Sequence, residues 1–119
     1  MFQLLPGRCL LCDVLTNRQR DLCIPCEQDL PWLISSCSLC AVPVHYHVSV
    51  CGRRLTEPPP FVSSHAGFTY TWPIGQLIHN FKDHADLLAG LVLSELLVQF
   101  LGNSLSNEKP NVIVLAPLY

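Results

Sequence analysis

Seven cysteines lie between Cys9 and Cys51, and the rest of the 119-residue chain has none. Cys9-Leu-Leu-Cys12 and Cys23-Ile-Pro-Cys26 are two CxxC pairs with ten residues between them. A two-residue spacer lets the backbone turn tightly enough for both sulfurs to face one centre, at the ~2.3 Å of a zinc–thiolate bond. Two such turns complete a tetrahedron, and the ion lowers the thiol pKa so that all four bind as thiolates. Free buried thiols are the bland alternative. A redox pair of the thioredoxin type needs a strand-to-helix setting that the loop-like LPGRCLLCDVL does not supply.

A second set follows, with Cys37-Ser-Leu-Cys40 and then Cys51-Gly-Arg-Arg54. Arg54 stands where a fourth cysteine would complete the set, and a guanidinium stays protonated and cannot coordinate zinc. Three cysteines then need a substitute, and His45 and His47 are the candidates, since an imidazole nitrogen would complete a site of three thiolates and one histidine. Alternation in Val44-His45-Tyr46-His47-Val48 puts both histidines on one face of an extended segment. The expected metal set is Cys9, Cys12, Cys23, Cys26, Cys37, Cys40, Cys51 and His47, with His45 as the alternative to His47. A weakened second site with surface histidines, or an exchanged pairing of the first and third CxxC pairs, are also open. Zn2+ is the expected cofactor, with one ion at the first set and a second dependent on the substitute ligand. No catalytic or other cofactor-binding residue is expected.

The elements around these cysteines fall into two parts. Thr56-Glu57-Pro58-Pro59-Pro60 is a stiff extended punctuator, so residues 1–57 are read as a cysteine-rich double zinc ribbon module and 58–119 as the start of a second domain. His65 to Trp72 alternates and is aromatic, which predicts a strand. Pro73 then opens a helix, with Ile74, Leu77, Ile78 and Phe81 as one apolar stripe. A second helix spans about 85–101 and is apolar on most sides, ending near Gly102-Asn103. Asn111-Val-Ile-Val-Leu115 predicts a buried parallel strand. The fold class is therefore a small zinc-ribbon module plus the first part of an α/β domain. Two strands cannot cover a sheet on both faces, so exposed apolar surface is expected.

Half the residues are hydrophobic and 13% are charged, which excludes intrinsic disorder. The net charge of −2 offers no global field for nucleic acid, although Arg8, Arg18, Arg20, Arg53 and Arg54 place five of the seven Lys and Arg in the cysteine-rich part. MFQLLPGRC has no charged start for a signal peptide, and the apolar run 87–101 is short of the ~20 residues of a membrane span. A cytoplasmic location follows as an expectation, where metal explains paired cysteines better than disulfides do.

The order CLLC, CIPC followed by Asp29-Leu-Pro-Trp32, CSLC with nearby Pro43, and CGRRLTEPPPF resembles the N-terminal double zinc ribbon of the ComF/GntX family. FTYTWPIGQLIHNFKDHADLLAGLVLSELL and NVIVLAPLY resemble the segments that continue that family, so the resemblance runs over essentially the whole chain. It implies a type I phosphoribosyltransferase-like domain after the ribbon and a link to competence, DNA uptake or the use of external DNA. It also implies that Ile78, His79 and Lys82 lie on the helix bearing "LIHxxK", where Lys82 is either a ribose-phosphate contact or a solvated edge.

Two departures qualify the resemblance. Arg54 replaces the family's last ribbon cysteine. The family's phosphoribosyl pyrophosphate loop lies beyond residue 119, and Asp83 and Asp86 are no adjacent acidic pair, so catalysis by this chain alone is not expected. The expectation is a truncated ComF-like protein. The alternatives are a stand-alone ribbon binding single-stranded DNA or a competence partner, and one half of a split phosphoribosyltransferase completed by a C-terminal fragment.

Overall fold

The computed structural model describes residues 6–45, 47–104 and 109–116. Strands β1 (Gly7–Arg8) and β2 (Leu15–Thr16) form a two-stranded antiparallel ribbon with Gly7 opposite Thr16 and Arg8 opposite Leu15. Helix α1 (Ile24–Gln28) follows the start of the second CxxC pair and helix α2 (Gly52–Thr56) follows Cys51. Helices α3 (Ile74–His84) and α4 (Leu87–Ser104) form a packed hairpin.

The chain divides into two compact units, one made of Met1–Leu30 with Thr71–Tyr119 and the other of Pro31–Tyr70. The division falls at other places than the proline run. It puts the first ribbon with the helical hairpin and leaves the second ribbon by itself.

Among the described residues of the first unit, the buried apolar side chains include Cys9, Leu22 and Leu30 from the ribbon and Ile74, Leu77, Ala89, Val92 and Leu96 from the helices. The expected stripe on α3 buries at Ile74 and Leu77, with Ile78 and Phe81 half-buried. The two helices meet closely at Gly90, where a Cβ would come within 2.5 Å of the Phe81 ring, so no larger residue fits without moving one helix.

The turn between them is held at both ends. Ala85 closes α3 in the left-handed region at φ 53°, and the Asp86 N–H bonds back to the Asn80 carbonyl. The Asp86 carboxylate then accepts the Ala89 N–H at 3.2 Å and caps the start of α4. The expected apolar surface is present on α4, where Leu87, Leu88, Leu91, Leu97 and Val98 are at least half exposed.

The second unit has a sparse core. Among the described residues, Cys37 is its one buried hydrophobic side chain. Trp32 and Phe68 pair with ring centroids 4.6 Å apart, over a short antiparallel bridge in which Leu33 N–H bonds to Gly67 O and Thr69 N–H to Pro31 O.

Two expectations need correction. Residues 65–72 contribute that single bridge and no regular strand. Residues 111–115 form no strand either, and Val112, Ile113, Val114 and Leu115 are 75–86% exposed. A strand needs at least one neighbouring edge to take its N–H and C=O groups, and the described residues supply none to 111–115. The described structure is thus mostly helical with one two-stranded ribbon, and the α/β arrangement is not seen in it.

Candidate metal centres

Both cysteine clusters are made by the same local fold, repeated 28 positions apart. CLLCDV at 9–14 corresponds to CSLCAV at 37–42, and Cys23 and Cys26 correspond to Cys51 and Arg54. The backbone repeats bond for bond. Cys9 N–H to Val14 O is 2.9 Å and Cys37 N–H to Val42 O is 2.8 Å; Leu10 N–H to Asp21 O and Ser38 N–H to Ser49 O are both 2.9 Å. Each knuckle turns through a left-handed residue, Asp13 at φ 62° and Ala41 at φ 64°. The β1–β2 pairing has its counterpart in the bridge Ser36–Pro43. Cys23 and Cys51 occupy the N-caps of α1 and α2 with nearly equal dihedrals, φ −73° and ψ 159° against φ −69° and ψ 155°.

In the first cluster the sulfurs of Cys9, Cys12, Cys23 and Cys26 all lie within 4.8 Å of one another. Cys9 is buried, Cys23 and Cys26 are half-buried and Cys12 is exposed. Cys12 and Cys23 sulfurs are 3.6 Å apart, too long for a disulfide, and all seven cysteines are free. Burial would raise the Cys9 thiol, but the backbone N–H groups of Cys23, Cys12 and Leu11 outweigh it and bring the pKa down to about 6. Cys26 is pushed up, by burial and then by the sulfurs of Cys23, Cys12 and Cys9. Packed this closely, the thiols do not ionise together unless a cation sits among them, so the donor set fits Zn2+.

The second cluster contains the sulfurs of Cys37, Cys40 and Cys51. Cys40 and Cys51 sulfurs are 3.6 Å apart, and the Cys51 N–H points to the Cys37 sulfur at 3.4 Å. Cys37 repeats the behaviour of Cys9: burial raises it, and the N–H groups of Cys51, Cys40 and Leu39 bring it to about 6. His45 and His47 are both exposed and stack on each other at 5.9 Å between ring centroids. Among the described residues, the group of mutually close donors stops at the three sulfurs and includes neither imidazole.

In the 28-residue repeat Arg54 stands at the position of Cys26. The Arg54 backbone N–H donates to the Cys51 carbonyl at 3.1 Å, and its Nε is buried with no hydrogen-bond partner among the described residues.

The first cluster is tied to α4 by ion pairs that no sequence pattern announces. Arg20 pairs with Glu27 on α1, and it also donates from Nε to Glu95 at 3.2 Å and from Nη1 to Gln99 at 3.0 Å. Arg18 pairs with Glu27 at 3.3 Å and bonds the Leu22 carbonyl at 2.7 Å. Glu27 and Arg20 are 16% and 17% exposed, so these charges sit in a partly dry setting. Such a link between positions 20 and 95 has no signature in spacing.

Residues 2–55 match the double zinc ribbon domain. The chain thus carries a double ribbon and binds Zn2+. It is similar to the DNA utilization protein YhgH of Salmonella typhimurium, with 32% identity over 120 residues that cover 96% of this chain and 52% of that protein. The DNA utilization protein YhgH of Salmonella typhi gives the same identity and coverage. The chain spans about half the length of these curated relatives. No solved structure gives a significant match.

On α3, the family-like positions His79 and Lys82 are exposed, and His79 Nδ1 pairs with Asp83 at 2.6 Å one turn on. Among the described residues no helix is long and apolar enough to cross a membrane.

Proposed function

We propose that the chain is the zinc-ribbon part of a ComF/GntX-type protein that serves the use of external DNA, with α3 and α4 beginning a phosphoribosyltransferase-like domain. The observation that carries this is the similarity to a DNA utilization protein along 96% of the chain, through both ribbons and both helices. In this reading Cys9, Cys12, Cys23 and Cys26 hold one zinc ion as a structural four-thiolate site, and Cys37, Cys40 and Cys51 hold a second. Metal here supplies folding energy, since cross-linking four thiolates fixes loops that bury little apolar surface. The ribbon's role is thus support of the adjoining helices through Arg20, Glu27 and Glu95.

Recognition of single-stranded DNA by the arginines is a weaker reading, because four of the five have acidic partners. Arg8 pairs with Asp13, Arg18 and Arg20 with Glu27, and Arg53 with Glu57. A competence protein or a C-terminal phosphoribosyltransferase fragment is the better partner class.

The test is a deletion of the gene followed by growth on DNA as the nutrient source, with complementation by wild type and by a Cys9→Ser variant. Loss of growth restored by wild type and not by the variant supports the proposal. Growth unaffected by the deletion would refute it.

A further inference from the structure

The two ribbons share one backbone and differ in one ligand. The backbone hydrogen bonds of the first knuckle have their counterparts in the second, and the side chain of residue 54 leaves the chain where that of Cys26 does. Cys26 brings a sulfur into the first group, whereas the second group stops at three. The two imidazoles nearest in sequence are exposed and outside it.

Three thiolates leave a divalent cation one position short of its tetrahedral preference. The Arg54 side chain cannot fill that position itself, because it carries no lone pair while protonated. It can neutralise and hydrogen-bond whatever does, and its buried Nε has no acceptor among the described residues.

We propose that the second ribbon is an open three-thiolate metal site, in which a small monodentate donor from solution takes the fourth position beside Arg54. Water is the resting occupant and a low-molecular-weight thiol, bound as its thiolate, is the favoured replacement. A sulfur donor matches the soft ligand set, and its negative charge meets the Arg54 guanidinium. Binding releases the thiol proton to solvent and displaces the water, with no change of oxidation state. The first ribbon, with four protein thiolates, has no such position. This inference rests on the ligand assignment proposed above.

The test uses the full chain loaded with Co2+ in place of zinc, whose ligand-field spectrum reports donor type and number. The expected result is two ions per chain, one lost in Cys37→Ser, with the spectrum of that ion alone shifting when 2-mercaptoethanol is added. Arg54→Cys should abolish the shift and give two alike four-thiolate spectra, which also controls for misfolding because it completes the ribbon. Two ions with no shift on adding thiol would overturn the open site while leaving the ligand assignment intact. A spectrum of the second ion altered by His45→Ala or His47→Ala would overturn it too, by showing that an imidazole of this chain closes the site. One ion per chain, unchanged by Cys37→Ser, would refute the ligand assignment itself.

Discussion

Replacing Arg20 with Met tests whether the first ribbon and the helical hairpin are one mechanical unit. The substitution keeps much of the side-chain bulk while removing the pair to Glu27, the 3.2 Å bond to Glu95 and the 3.0 Å bond to Gln99. Hydrogen bonds to charged groups contribute ~1.5–3 kcal/mol each, and breaking a fully buried ion pair costs about 3–5 kcal/mol. Two features reduce the loss here. Glu27 keeps Arg18 at 3.3 Å, and Glu95, with its side chain 33% exposed, can rehydrate. The expected cost is therefore about 2–3 kcal/mol, measured by denaturant unfolding of the zinc-loaded protein. Arg20→Lys should fall between, since an ammonium keeps the charge without the planar fork. A double-mutant cycle with Glu95→Gln should give a coupling of about 1 kcal/mol. A cost below about 0.5 kcal/mol, the scale of an ordinary surface change, would refute the reasoning.

Gly90→Ala should destabilise by about 1–3 kcal/mol, because its Cβ would press on the Phe81 ring, and Gly90→Ala with Phe81→Leu should recover part of it in thermal melts. Ala85→Gly should raise stability by up to about 1 kcal/mol, since Ala85 sits at φ 53°; a decrease in the same melts would contradict the turn geometry. Zinc should leave as pH falls from neutral, because released thiolates take up protons and the metal-bound state holds fewer of them. A colorimetric indicator would follow the release, and zinc held equally well in acid would count against thiolate ligation. Chelation should strip amide-exchange protection from 31–70 before it does so from α3 and α4, as the second unit buries little besides Cys37.

The cysteine clusters were legible in the sequence because ligand spacing is a local property: two residues between sulfurs dictate the knuckle. The helices were legible for a similar reason, with Ile74 and Leu77 on the stripe that buries, whereas the start of α4 fell two residues later than about 85 because Asp86 caps it. Arg54 in the place of a fourth cysteine is equally local, since it follows from the CxxC spacing after Cys51.

What stayed hidden depends on distant partners. Val112 to Leu115 has the composition of a buried strand, yet composition supplies no neighbouring edge, and these residues are exposed. His47 lies near the cysteines in sequence, but spacing does not choose between it and His45, and the group of mutually close donors among the described residues holds only Cys37, Cys40 and Cys51. The ion pair from Arg20 to Glu95 joins residues 75 positions apart, and no local pattern encodes it.

The most direct test of the zinc-ribbon account is native mass spectrometry of the purified chain and of Cys26→Ser, before and after a mild chelator. The account predicts that wild type retains the ion at Cys9, Cys12, Cys23 and Cys26 under chelation and that the variant loses it. A wild-type chain that arrives without zinc, or a Cys26→Ser variant that holds its metal as firmly as wild type, would contradict it.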